Sequence, residues 1–457
     1  MKLALIAFCL TGIVVMIGSA QQRETPPPIG LPKPFAAPAG ETFTLPNGMQ
    51  VTLAQHGSVP LVTVSAKIAF GSISENADQV WLSKLTSELM KEGTKTRSGA
   101  QVAEEAARMG GQLDITAGMD ETTASLDVLS EFAPRAVQLL ADVLENTALP
   151  ASELDRVRAN LLRQRTVQLA TPQAQASQAF YAALFPDHPY GRQFPTEAEL
   201  KAYSIDDVRK FYAANAGARR THLYVVGRFD PAVRKAIEDA FVGWPAGPEP
   251  QRAPARPAAK PALTLIDRPG AVQSTLRIGL RLSVKPADAD YIPLALTNDL
   301  LGGAFTSRIT NNIREQKGYT YSPFSRVATF SRAAFWQETA DVTTEHTADS
   351  IREILFEINR LRKDPPDEKE LRGIQNLAAG VFVVRNSSNQ GIVGQLAFVH
   401  MHGLSDDYLK TYVQKVNAVT RQDIQRIAES YLDPAKMTMI VVGDKAKIGE
   451  SLKPYER

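Results

Sequence analysis

The sequence predicts an α+β protein made of two homologous α/β sandwich domains, each a sheet covered on one side by helices. Three observations predict it. The segments SIDDVRKFYAANAGARRTHLYVVG (204–227) and TRQDIQRIAESYLDPAKMTMIVVG (420–443) set Ser204 and Thr420, Asp207 and Asp423, and Gly227 and Gly443 at one constant offset of 216. That is the mark of an internal duplication. Each half opens with period-2 alternation, Val62, Val64, Ala66, Ile68 and Phe70 in one, Leu276, Ile278, Leu280 and Leu282 in the other, and then runs into long helical patterns. Between the halves lies AGPEPQRAPARPAAK, residues 246–260, whose Pro and Ala content reads as a linker.

Taken in order, the chain begins with a separate object. Lys2 precedes an apolar run, Leu3 to Ile17, and Gly18-Ser19-Ala20 supplies small residues for cleavage after Ala20. This is the pattern of a signal peptide, residues 1–20, and the run is too short for a membrane span. The protein is therefore expected to be exported, to the periplasm, with no span left after cleavage. Cys9, the only cysteine, falls in this leader. The mature chain has no thiol for a Cys-based zinc site, a disulfide or a Cys nucleophile. Residues 21–41 form a Pro-rich tether, 42–245 a first domain and 261–457 a second. In both halves Ser204 or Thr420 caps a helix with Asp three residues on, a capping-box variant, and an apolar strand follows.

Composition narrows the function classes. Over 457 residues, 44% are hydrophobic and 22% charged, an ordinary globular mixture. The 51 basic and 49 acidic residues are interspersed and leave a net charge of +2, so no nucleic-acid partner and no polybasic membrane anchor is expected.

The ordered set FTLPNGMQVTLAQ, GSISEN, the helix from Trp81 closed by Gly93-Thr94, HPYGR, LIDRPGAVQSTLRIGL, LGGAFTSRITNNIREQKGYTY and two terminal VVG strands resembles the pitrilysin/insulinase peptidases. It is closest to the short type that includes the mitochondrial processing peptidase subunits. The resemblance spans residues 42–445. It implies two homologous α+β domains per chain forming one half of a clamshell, with two chains closing around a peptide chamber.

The family's zinc motif is His-x-x-Glu-His on a helix, with two imidazoles on the metal and the Glu as general base. Anchored on Gly93-Thr94, those positions here are Lys84, Ser87 and Glu88. A lysine is a cation, a serine takes no proton from metal-bound water as a carboxylate does, and Glu88 alone is one ligand. The family's third ligand is a downstream glutamate, yet residues 156–186 hold no Asp or Glu, and Arg163 and Arg165 stand there instead. No metal is expected on this chain. Lys84 and Glu88, at i and i+4, are expected to pair ionically. His400 and His402 have strand spacing but no third ligand, and read as surface or core histidines near a turn; His56, His188, His222 and His346 look isolated.

The second half keeps something else. In the family an Arg and a Tyr seven residues apart reach across the chamber to the substrate near zinc, and REQKGYTY carries them as Arg314 and Tyr321. Gly318 would end the helix between them. An Arg fork suits peptide carbonyls, and a Tyr hydroxyl can donate to an oxyanion. Tyr319 would share the face of Tyr321 in an extended segment, which makes it a second substrate-binding candidate. The bland alternative is a helix-end Arg and a core-lining Tyr. Gly302 to Phe305 is a tight turn that lacks the Lys and spacing of a phosphate loop.

The resulting expectation is a non-catalytic, substrate-binding subunit of an exported heterodimeric zinc endopeptidase. A related chain with an intact His-x-x-Glu-His would bring the zinc, unstructured peptides would be the substrates, and activity would belong to the complex. The alternative is a proteolytically inert peptide-binding or assembly scaffold of the same fold. An enzyme of another mechanism finds no Ser, His and Asp constellation to use.

Overall fold

The computed structural model describes residues 40–250, 260–405 and 407–456. The expected signal peptide, nearly all of the expected tether and the middle of the expected linker lie outside them. The strands are β1 (Gly40–Thr44), β2 (Gln50–Gln55), β3 (Leu61–Ile68), β4 (Leu113–Ala117), β5 (Thr122–Leu129), β6 (Thr221–Gly227), β7 (Leu263–Asp267), β8 (Gln273–Leu282), β9 (Phe324–Thr329), β10 (Ala334–Thr343) and β11 (Thr438–Gly443). They form a six-stranded sheet, β1-β2-β6-β3-β5-β4, and a five-stranded one, β7-β11-β8-β10-β9.

The duplication is visible in the pairing. β2 runs parallel to β6 while β6–β3, β3–β5 and β5–β4 are antiparallel. In the second sheet β7–β11 is parallel, and β11–β8, β8–β10 and β10–β9 are antiparallel. The one extra strand is β1, which pairs Gly40 with Ala54 and Glu41 with Leu53. Those two residues therefore belong to the first sheet and not to the tether, because their backbone groups complete the edge of β2. The capping boxes form at both Ser204 and Thr420.

Alternation decides the layers. Val62, Val64, Ala66 and Ile68 face a core shared with Leu82, Leu85, Val137, Leu140 and Ile237 from helices of the same half. The opposite face of each sheet receives one helix from the other half. Four helices matter below: α1 (Leu82–Met90), α2 (Leu154–Leu169), α3 (Pro172–Leu184) and α4 (Asn389–Met401). α3, from the first half, lies on the second sheet, where Phe180 packs with Phe335, Ile440 and Val442. Gly279 makes room for it: a Cβ there would stand 2.7 Å from the Phe180 ring. Reciprocally, α4 sets Ile392, Val393 and Ala397 against Ala54, Tyr224 and Val226 of the first sheet. Burying a large apolar side chain in such a contact is worth about 1.5–3 kcal/mol, so the exchanged helices tie the halves together.

The start of the linker is also fixed. Arg220 donates to the carbonyls of Pro248 (2.8 Å), Glu249 (2.9 Å) and Ala69 (3.1 Å), so residues 248 and 249 are held against the first domain rather than free between the two. Among the described residues no helix is long and apolar enough to cross a membrane.

Candidate functional site

The helix at the zinc-motif positions is built around a buried carboxylate the motif did not point to. Glu75 is buried and accepts from the backbone N–H of Trp81 (3.2 Å) and Ser83 (2.9 Å) and from the Ser83 hydroxyl (2.5 Å). It thus satisfies donors that the first turn of α1 leaves without intrahelical partners. Burial pushes its carboxyl up to about 7, against the lowering pull of Ser83, Trp81 and Arg192. Trp81 itself sits in the left-handed region at φ 68, a strained conformation for a bulky residue, held by Glu75 and by its indole N–H donating to Gln193 O at 2.8 Å. At the other end Gly93 turns the chain at φ +130, where a Cβ would lie 2.6 Å from Arg97 O.

The motif positions are occupied with other work. The Lys84 ammonium stands 4.1 Å from the centre of the Trp81 ring, a cation–π contact. Burial lowers its pKa, with Glu88 opposing. Ser87 is buried and donates to Lys84 O at 2.9 Å. Glu88 pairs with Lys91 at 2.7 Å. The expected Lys84–Glu88 pair is thus corrected: the Trp81 ring draws Lys84 to the start of the helix, and Glu88 takes the lysine one turn on. Arg165, on α2, donates to Pro195 O at 2.6 Å, and Arg163 to Asn160 on its own helix. Zinc does not fit this donor set: the Lys84 ammonium and the Arg165 guanidinium have no lone pair for a dication, the Ser87 hydroxyl is a neutral donor engaged with backbone, and Glu88 alone is one anionic ligand. Among the described residues no three His, Cys, Asp or Glu side chains gather where a metal could be held.

The histidines need a second correction. FVHMHG is the C-terminus of helix α4, not a strand. His400 stacks on His222 of β6 with centroids 4.4 Å apart and shares a 3.0 Å hydrogen bond with the Tyr224 hydroxyl. His222 also stacks on Tyr224 and bonds Thr52 at 2.7 Å. Burial and the neighbouring His400 lower its pKa to about 3, so it is a neutral packing element of the sheet–α4 contact. His346 is not isolated either; it stacks on Tyr319 at 4.1 Å.

Arg314 and Tyr321 come together. Residues Thr310–Gln316 form a π-helical stretch, a widened turn that often accompanies functional sites. It ends at Gly318, which adopts φ +67 and donates its N–H to Arg314 O at 3.0 Å. The chain then turns, because Thr320 bridges Val342 and its hydroxyl donates to Asp341 O at 2.7 Å. The turn parts the two tyrosines: Tyr319 lies on His346, whereas the Arg314 guanidinium lies 5.0 Å from the Tyr321 ring. The shared face expected of an extended segment is therefore absent. Tyr321 is 79% exposed, which rules out the core-lining alternative. The residue that sequence reasoning missed is Phe305, 69% exposed, whose ring lies 4.2 Å from the same guanidinium. Its only signal was its place in the GGAF turn. Glu315 pairs with the Arg314 Nε at 3.3 Å. The cluster is a cation between two solvent-facing rings, one bearing a hydroxyl, and it can offer hydrogen bonds to a peptide backbone.

A two-sheet duplicated fold with these landmarks defines a peptidase-like chain. The model described as "Insulinase (Peptidase family M16)" matches residues 50–196, and "Peptidase M16 inactive domain" matches residues 202–377. The chain belongs to the pitrilysin/insulinase (M16) peptidase family. A protein of Mycobacterium tuberculosis named as an uncharacterized zinc protease is 24% identical over 405 residues, 87% of this chain and 92% of that one. The mitochondrial-processing peptidase subunit beta of Blastocladiella emersonii is 23% identical over 435 residues, 92% and 91% of the two chains. Among solved structures, a protease from Helicobacter pylori superposes with TM-score 0.84 at 18% identity, covering 89% of this chain and all of the other. A "peptidase M16 inactive domain" from Pseudomonas fluorescens gives 0.81 at 23%, covering 89% and 98%.

Proposed function

We propose that this chain is the non-catalytic, substrate-binding subunit of an exported heterodimeric zinc endopeptidase, acting on unstructured peptides. A related chain with an intact His-x-x-Glu-His supplies the zinc, and this one supplies Arg314 and Tyr321. The observation that carries the reading is a contrast: the motif residues Lys84, Ser87 and Arg165 are engaged within their own domain, while Arg314 and Tyr321 stand stacked at the surface. A relative named as a subunit of a processing peptidase supports action within an assembly. In the complex, the Tyr321 hydroxyl donates to the oxyanion of the scissile carbonyl and Arg314 holds a neighbouring peptide carbonyl.

The test is native mass spectrometry of the protein isolated from its own cell envelope, with metal analysis of each chain. The expected result is a 1:1 complex with a related chain, burying more than ~2,000 Å² as obligate interfaces do, and zinc only on the partner. One tightly held zinc per copy of this chain would refute it. A chain that is always monomeric or self-paired would favour the inert scaffold instead.

A further inference from the structure

The second half carries a cavity that the proposed function does not use. It measures about 510 Å³ and lies between β9, α4 and the helices Tyr291–Asn298, Glu368–Arg385 and Tyr408–Ala418. Helical spacing brings aromatic residues to it: Tyr408 and Tyr412 stand one turn apart on one helix, and Phe382 lies one turn before Arg385 on another. The rings form a continuous wall. Their centroids are 6.2 Å apart from Tyr291 to Phe398, 6.1 Å from Phe398 to Tyr408, 6.1 Å from Tyr408 to Tyr412 and 4.4 Å from Tyr412 to Phe382.

Two opposite charges border this space without meeting. The Asp299 carboxylate accepts from Asn298 Nδ2 at 3.3 Å, a long bond, and Gly303 leaves room beside it: a Cβ there would stand 2.7 Å from Asp299 Oδ1. Arg385 lines the same cavity from an exposed position. Among the described residues neither forms an ion pair, with the other or with a third group. Burial pushes the Asp299 carboxyl up to about 6, opposed by the Asn298 bond and the field of Arg385, so it is largely ionised at neutral pH. Arg326 of β9 also borders the cavity, but its guanidinium donates to the Tyr181 hydroxyl of α3 at 3.2 Å. A lone cation entering here meets Arg385, a lone anion meets Asp299, and an apolar guest takes water from a carboxylate and leaves it unpaired, which is costly. A ligand carrying both charges answers all three objections.

We propose that this cavity binds a small zwitterion with an aromatic side chain, of the free amino acid or dipeptide class, its ammonium on Asp299, its carboxylate on Arg385 and its ring against the aromatic wall. The charge-assisted bonds fix both ends, and ring against ring supplies the apolar contact. The volume falls within the ~300–1,000 Å³ of pockets that take small ligands. The inference stands apart from the subunit reading: it uses neither Arg314 nor Tyr321 and needs no partner chain.

The test is isothermal titration calorimetry of the full chain with L-phenylalanine and the dipeptide Phe-Ala, each also as its N-acetyl and its C-terminal amide form, and with Ala-Ala. Phenylalanine and Phe-Ala are the two sources of this chemistry, and the tighter binder identifies the occupant. Its N-acetyl and amide forms should each bind at least about tenfold more weakly, the loss of one charge-assisted bond, and Ala-Ala should bind more weakly than Phe-Ala. Each variant should erase one of these margins. In Asp299→Asn the free and N-acetyl forms should bind alike, and in Arg385→Gln the free and amide forms should. Arg372→Gln makes the same change in net charge as Arg385→Gln on an exposed position of the same helix, and should leave both margins intact. Thermal melts verify folding, and Arg385→Gln, at an exposed position, decides the matter if Asp299→Asn does not fold. No binding of either free ligand at millimolar concentration, equal binding of free and blocked forms, or an amide margin that survives Arg385→Gln would each overturn the proposal.

Discussion

The start of α1 and the turn after Gly318 hold the two sets of residues at which an active site of this family would be sought, and they differ in where their polar groups are satisfied. On α1 the groups are spent internally: Ser87 on its own helix, Lys84 on Trp81, Glu88 on Lys91. At the turn, the chain beside Tyr321 is held by the Thr320 hydroxyl, which donates to Asp341 O, and by the Gly318 N–H, which donates to Arg314 O, while Tyr321 itself is exposed. A side chain already satisfied within the fold has little to offer a ligand, and one fixed in position but left open can bind.

The largest expected effect tests the open region. In the complex with a zinc-bearing partner, Tyr321→Phe should lower turnover by roughly 10²–10³, the usual loss for one oxyanion donor, with assembly unchanged on size exclusion. Arg314→Ala should act at least partly through KM, because in the proposed role the guanidinium grips peptide carbonyls in ground and transition state alike. Tyr319→Phe, on the His346 side of the turn, should be milder. Unaltered cleavage by Tyr321→Phe would erase the contrast between the two regions.

The next effect tests how far α1 has become a structural element. Glu75 has a folded pKa of about 7 against an ordinary 4.5. The native state therefore holds a proton that the unfolded chain releases, and stability falls as pH rises from 4.5 through 7. The span corresponds to about 3 kcal/mol. Urea titrations across that window should show the decline, and Glu75→Gln, which cannot ionise, should flatten it by most of that amount. An equally steep decline in the variant would place its origin elsewhere.

The contact between the halves gives the opposite sign. His222 has its pKa lowered to about 3, so the unfolded chain takes up a proton below 6.5 that the native state refuses. Stability is lost as pH falls from 6.5 towards 3, by about 2 kcal/mol at pH 5. His222→Gln, which can still bond Thr52, should have a shallower acid limb in the same titrations. The smallest effect is at Glu88. Glu88→Gln breaks only its partly exposed pair with Lys91 and should cost about 0.2–0.5 kcal/mol. A loss of several kcal/mol would mean that Glu88 keeps a role the structure does not give it.

Much of this was legible before any coordinates. The offset of 216 foretold matching strand orders, and Ser204 and Thr420 foretold their caps, because both depend on local spacing and backbone donors. The failures share a cause. Lys84 was matched to Glu88 by helical spacing, yet the competing partner, Trp81, is reached through a left-handed turn that spacing does not encode. His400 and His222 lie 178 positions apart in the sequence and meet only because α4 crosses to the other half's sheet.

By itself the sequence determined the family, the duplication, the residue types at Lys84, Ser87 and Glu88 and the seven-residue spacing of Arg314 and Tyr321. All of these are statements about residue identity and short-range order. Tertiary structure alone decided that α3 and α4 are exchanged, that Glu75 is the buried anchor of α1, and that Phe305 completes the Arg314 stack. Those outcomes depend on which surfaces long-range packing brings together. The free energy of that packing comes from burial summed over the whole chain, and no short window of residues carries it.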